Sequence, residues 1–201
     1  SSSSNTSAVE TYGLTENDFI HIRNMENVLS VSTARDTREK VLNGLIRLDL
    51  KLVGVSLDFL EACKSEIIQG RWFRDIDMNS YSNVCVIGRN AKRKMFVLGE
   101  QHIVGSNLRI GDKLFTVIGI LENNLGTQFS GLGSPNDLIF IPKGQAANLF
   151  GTKSFIREIS RFSVECVDYD VFVVKVADVA YIDYTAKRID AYLQKTHPTK
   201  D

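Results

Sequence analysis

"GRWFRDID" occupies residues 70–77, and the fold turns on how it is read. Two aromatics, two arginines and two aspartates follow a glycine within eight positions. Read one way, Asp75 and Asp77 are a pair of carboxylates for general acid–base chemistry. Read the other way, they are turn and cap residues, each taking a backbone N–H where one structural unit closes and the next opens. In that reading Gly70 supplies an unusual backbone turn, and Trp72 and Phe73 anchor the junction in a core. No His or Cys stands among these residues, so the structural reading is preferred and no catalytic residue is assigned.

The wider composition agrees. The chain has 201 residues, enough to bury a sizeable core in one domain or two small lobes. Lys+Arg and Asp+Glu both number 24, so formal net charge is zero. A neutral chain has no overall electrostatic reason to seek phosphate backbones, and no nucleic-acid partner is expected. No window approaches the roughly 18 apolar residues of a membrane span. The serine-rich opening, residues 1–9, reads as a linker or expression scar. Cys63, Cys85 and Cys166 are scattered and odd in number, so no disulfide framework is expected. Cys85, inside "VCVIG", reads as a buried apolar thiol.

Outward from the opening stretch, local signals are clear. Thr15 and Asp18 have the spacing of a helix-capping box, with Phe19 and Ile22 on one face behind it. Val28–Ser32 alternates as a strand. The charged run 35–40, "RDTREK", reads as a solvated hairpin tip. Leu48, Leu50 and Leu52 then alternate with Arg47, Asp49 and Lys51, a half-buried strand. "SLDFLEA" (56–62) reads as a short helix capped by Ser56. "NVCVIG" (83–88) is an apolar strand, and the helix after it carries Ala91 and Met95 four apart. In "NLRIGDKLFTVIGI" (107–120) two alternating runs flank Gly111-Asp112, a hairpin whose register sets Leu108 opposite Phe115.

The loop 123–136 is, at about 14 residues, longer than ordinary connections, which marks functional or disordered segments. Its Phe129 and Leu132, set among glycines, are expected to be exposed. "DLIFIP" (137–142) resumes as a strand, and a short helix follows. "DVFVVKV" (170–176) is a strand, followed by a helix with Ile182, Ala186, Ile189 and Leu193 on one stripe. The pattern is a helix-and-strand unit at each end with a β-rich insert between. Binding residues concentrate on loops, so the candidates for partner binding are Phe129 and Leu132 on the long loop and Arg35, Arg38 and Lys40 at the expected tip.

Several chemistries lack their residues. There is no G-x-x-x-x-G-K-[ST] phosphate loop and no G-x-S-x-G elbow. His21, His102 and His197 are far apart and belong to no metal-ligand spacing. No metal or cofactor is expected.

Three stretches together, "GVSLDFLEACKSEIIQGRWFRDID" (54–77), "NVCVIGRNAKRKMF" (83–96) and "VGSNLRIGDKLFTVIGIL" (104–121), resemble the extracytoplasmic core domain of MacB-type ABC transporter permeases. Gly54, Val55, Asp58, Phe59, Gly70, Arg71 and Phe73 match the order of that family. So do Val84, Val86, Gly88, Phe96, Gly105, Gly111, Val117, Ile118 and Gly119. "IFIP", "VFVVKV" and "THPTKD" extend the likeness to about residues 14–201. The first strand of the family and the one after its closing motif have no counterpart, which suggests an excised domain. The loop 123–136 has no clear match.

The resemblance implies an α+β, two-lobed fold. A porter-like lobe would be built from residues 10–70 and 157–201, and a smaller sabre-like lobe from the inserted residues 71–156. It implies an extracytoplasmic, non-enzymatic domain of a cell-membrane permease. Its partners would be the permease's own transmembrane helices, a separate ATPase domain or subunit, a second permease copy, and a periplasmic adaptor or lipoprotein. The function implied is coupling of ATP hydrolysis to efflux. Lipoprotein release, as in LolC/LolE-type permeases, and hydrolase regulation, as in FtsX-type permeases, remain alternatives. A small hydrolase using Asp75 and Asp77 is the alternative from another class.

Overall fold

Strand alternation with a period of two decides where the core lies. The structure, a computed structural model, describes residues 13–79, 82–96, 102–126, 132–150, 153–156, 164–167 and 169–197. In chain order the elements are α1 (Glu16–Arg23), β1 (Val28–Asn43), β2 (Ile46–Val55), α2 (Phe59–Ala62), β3 (Glu66–Gly70), α3 (Asp75–Asn79), β4 (Val84–Gly88) and α4 (Arg89–Met95). They continue with β5 (Asn107–Ile110), β6 (Lys113–Glu122), β7 (Ile139–Pro142), α5 (Lys143–Phe150), β8 (Lys153–Ile156), β9 (Val164–Val167), β10 (Val171–Val176) and α6 (Ile182–Thr196).

The pairings close a ring. β1 pairs with β2, β2 with β7, β7 with β4, β4 with β6, β6 with β5, and β5 back with β1. β10 extends the ring from β1, and β3 extends it from β6. Closure removes the exposed edges that an open sheet of these strands would leave. Each ring strand sends alternate residues into one core: Val41 from β1, Leu50 and Leu52 from β2, Cys85 and Ile87 from β4, Leu108 and Ile110 from β5, Phe115 and Val117 from β6, and Ile139 and Ile141 from β7. Residues of opposite parity, among them Val53, Val55, Val86 and Phe140, form a second core outside the ring, covered by Phe59, Phe73, Leu132 and Leu138. A third, smaller cluster joins Ile22 and Met25 near α1 to Val31, Phe172, Ile189 and Tyr192. Fully burying one such Leu, Ile or Phe is worth about 1.5–3 kcal/mol, so the ring and its outer cover dominate the stability.

The ring mixes strands from the expected end lobe (β1, β2) with strands from the expected insert (β4, β5, β6, β7). Strands from both sides of the expected 70/71 boundary thus share one sheet.

Local chemistry explains most elements. Thr15 caps α1 in a full capping box: its Oγ1 accepts the Asp18 N–H, and the Asp18 carboxylate accepts the Thr15 N–H. Leu108 does face Phe115, and Gly111 at φ +59° makes the two-residue turn between Ile110 and Lys113. Ala91 and Met95 are both buried on α4.

Other readings need correction. The run 35–40 is not a hairpin tip but mid-strand in β1, with the real turn at Gly44-Leu45. Its charges are tolerated there because β2 sets opposing ones across from them: Asp49 faces Lys40, and Lys51 Nζ lies 2.9 Å from Asp36. Ser56 does not cap a helix. Its hydroxyl donates to Asp58 and accepts the Thr33 N–H, and α2 starts only at Phe59. On α6 the inward residues are Thr185, Ile189 and Tyr192, whereas Ile182 and Ala186 are exposed.

Candidate functional site

The opening stretch is built as a structural junction. Gly70 (φ +76°) faces Gly119 across β3 and β6, beside a bulge at Ile118. The two chains approach so closely that a Cβ on Gly70 would sit 2.2 Å from the Ile118 carbonyl oxygen, and one on Gly119 2.3 Å from that of Arg71. Only glycines permit this contact. The Arg71 N–H then donates to the Ile118 carbonyl at 2.9 Å. Trp72 donates its indole N–H to the Leu57 carbonyl at 2.8 Å, and its ring packs on Phe73 and Phe140.

Asp75 and Asp77 do not form a pair. Both lie in the five-residue α3, where residues two apart point away from each other. Asp75 is exposed, and Asp77 is buried. The Arg71 guanidinium donates to both Asp77 oxygens, at 2.6 and 3.1 Å, and the Arg74 N–H donates at 2.7 Å. The Arg71 bonds, opposed by burial and helped by the Arg74 N–H, hold the Asp77 carboxyl below the usual carboxylate range. This is the electrostatics of a clamp, since a general base is tuned toward neutrality.

Two of the three cysteines are shielded by their environment. Cys63 and Cys85 are fully buried, and burial pushes both thiols upward in pKa. Cys166 lies in β9. Among the described residues no group of three or more His, Cys, Asp or Glu is placed to hold a metal ion, and no helix is long and apolar enough to cross a membrane.

Among the sequence-predicted partner residues, the structure separates Arg35 from Arg38 and Lys40. Arg35 is buried and lines a recess with Glu16, Lys143 and Tyr169. Arg38 and Lys40 have the opposite parity and are exposed. Leu132 is not exposed: at 3% accessibility it covers the ring's outer core. The loop's ends are fixed by a reciprocal amide pair that the sequence did not announce. The Asn123 N–H donates to Asn136 Oδ1, and Asn136 Nδ2 donates to the Asn123 carbonyl, both at 2.9 Å. Phe129 lies outside the described residues.

What the strands do assemble is a basic face. Leu42 on β1 has Arg47 of β2 as one register partner and Arg109 of β5 as the other. Register partners share a face, so Arg38, Lys40, Arg47 and Arg109 stand on the same side of the ring, all exposed. Asp49 opposite Lys40 and the Asp36–Lys51 ion pair offset part of the charge. The two hairpin turns meet at this end: the Gly111 N–H donates to the Lys40 carbonyl at 3.2 Å, and Leu45 at the other tip is fully exposed. Arg109 was missed because its pairing with β1 joins segments distant in sequence, and Arg47 because reading 35–40 as the tip displaced the hairpin turn from Gly44-Leu45.

The described residues thus form a ringed α/β domain with a basic face and a glycine-tight junction. The sequence matches the family model of the MacB-like periplasmic core domain over residues 1–192, and the chain belongs to that family. It is 27% identical over 170 residues to the macrolide export ATP-binding/permease protein MacB of Chromobacterium violaceum, covering 84% of this chain and 23% of that protein. The MacB of Pasteurella multocida is 24% identical over 134 residues, covering 67% of this chain and 20% of that protein. The chain thus spans less than a quarter of these relatives.

Two solved structures share the fold. The extracellular domain of the ABC-type transporter YknZ from Gram-positive bacteria has a TM-score of 0.69 at 22% identity, covering 94% of this chain and 86% of that one. The periplasmic region of MacB from Actinobacillus actinomycetemcomitans has a TM-score of 0.69 at 17% identity, covering 96% and 78%.

Proposed function

We propose that this chain is the extracytoplasmic docking and coupling domain of a MacB-type ABC transporter permease used in export, without catalytic activity of its own. The observation that carries the reading is the family match across residues 1–192. The names of the curated relatives add macrolide export and ATP binding. In this reading the permease's membrane helices adjoin the domain, an ATPase domain or subunit drives them, and two permease copies work together. The third core cluster, formed by residues near the two chain ends, is what a porter-like lobe contributes, and the ring binds that lobe to the insert.

The basic face is the docking surface, and it takes an acidic surface on an extracytoplasmic protein. Four exposed cations on three adjacent strands, in a chain of zero net charge, concentrate positive potential in one place. The test uses the whole permease with its ATPase in cells, with Arg38→Glu, Arg47→Glu and Arg109→Glu combined. Export of a macrolide falls, while ATP hydrolysis and the thermal stability of the domain are kept. Unchanged export would remove the basic face from the mechanism.

A further inference from the structure

α6 is held to the rest of the molecule unevenly. Thr185 is its one buried residue, and the Thr185 hydroxyl has no hydrogen-bond partner among the described residues. Ile189 and Tyr192 are half-buried against the small cluster of Ile22, Met25 and Val31. The start of the helix is open to solvent, with Ile182 and Tyr184 about half exposed and Val179, just before it, 80% exposed. Apolar adhesion is therefore thin, and one buried polar position carries a cost.

The other end is held by a single carboxylate. Asp18 on α1 is 2% exposed, and its Oδ2 accepts the Thr15 hydroxyl at 2.7 Å and the Thr15 N–H at 2.8 Å. The His197 ring Nε2, at the C-terminal cap of α6, lies 2.9 Å from the same oxygen. The Tyr192 ring of α6 stacks on His21 of α1 at 3.8 Å with 9° between planes. The charged neighbours are paired elsewhere: Arg188 with Glu26 at 3.8 Å, and Glu16 with the Tyr169 hydroxyl at 2.5 Å. Leaving a buried carboxylate short of a donor is costly, so release of α6 is resisted chiefly at this contact.

We propose that Asp18, His197 and Tyr192 form a latch that docks α6 onto α1, and that opening it lets α6 leave the sheet as a unit while the strand ring stays folded. The inference concerns motion within this chain and does not rest on the transport reading. Its failure would leave that reading untouched.

Hydrogen exchange of the 201-residue chain, followed by mass spectrometry, tests it. His197→Ala and Tyr192→Ala, the second removing the ring stacked on His21, leave the α1 cap intact. Each is expected to lower protection of residues 182–197 by about tenfold, with β2 and β6 unchanged. Thr185→Val replaces the unpartnered hydroxyl with a methyl group and is expected to raise α6 protection several-fold, again without moving the ring. The latch is overturned if α6 and ring protection move together in these variants, which makes the contact merely structural. It is also overturned if α6 exchange does not change.

Discussion

Arg71 grips Asp77 through two parallel hydrogen bonds, six residues along the chain and across the turn into α3. This fork-to-fork contact, 6% side-chain exposure on the aspartate side, assigns the second carboxylate of "GRWFRDID" to architecture. Removing it strands a partly buried guanidinium and the Arg74 N–H. Asp77→Ala is expected to cost about 2–3 kcal/mol in urea unfolding, whereas exposed Asp75→Ala stays within about 0.5 kcal/mol. Equal effects would mean that the ion pair contributes nothing particular.

The glycine contact gives a sharper number. At Gly119 an added methyl meets the Arg71 carbonyl, a backbone atom that cannot turn aside. Gly119→Ala is expected to lower stability by about 2–3 kcal/mol, read as a lower denaturant midpoint. A variant as stable as the parent would show that the two strands can separate freely.

Leu132 is a core residue and not a surface one. Its truncation to Ala should cost about 2–5 kcal/mol of unfolding free energy, the range for a buried leucine. The outcome of a surface residue, no change in stability with altered partner binding, would contradict its place under the ring's outer core.

Acid should weaken the fold through two named carboxyls. Asp77 is held below the usual carboxylate range chiefly by Arg71. For Asp18 burial acts upward, but the Thr15 hydroxyl and amide and the His197 ring outweigh it, and the net shift is downward. A carboxyl depressed on folding contributes stability that is fully present above its unfolded pKa of about 3.9. That stability is lost as pH falls through the folded value. The denaturant midpoint should therefore drop below about pH 4, and less steeply in an Asp18→Asn, Asp77→Asn variant. A parallel profile in that variant would assign the acid sensitivity to other groups.

Much of this was legible because the signals are local. The Leu108–Phe115 register followed from alternation around a Gly-Asp turn, and the α1 cap from a three-residue spacing. Ring closure was not legible, because β1–β5 and β2–β7 join segments far apart in the chain. The charged run 35–40 imitates a turn by composition, and only the pairing with β2, which sets Asp49 across from Lys40 and brings Lys51 to Asp36, shows why it stays a strand. Leu132 looked exposed because glycines flank it. Asp18 and His197 stand 179 positions apart, and nothing in either segment names the other. On α6, counting apolar residues picked Ile182 and Ala186. The packed face instead includes a threonine.

The role proposed for the domain is coupling of ATP hydrolysis to export. The direct measurement replaces residues 13–197 with a flexible glycine-serine linker in the whole permease, then records ATP hydrolysis and macrolide efflux together in vesicles. Coupling predicts that hydrolysis persists and efflux is lost. Efflux at the parent rate without the domain would contradict it.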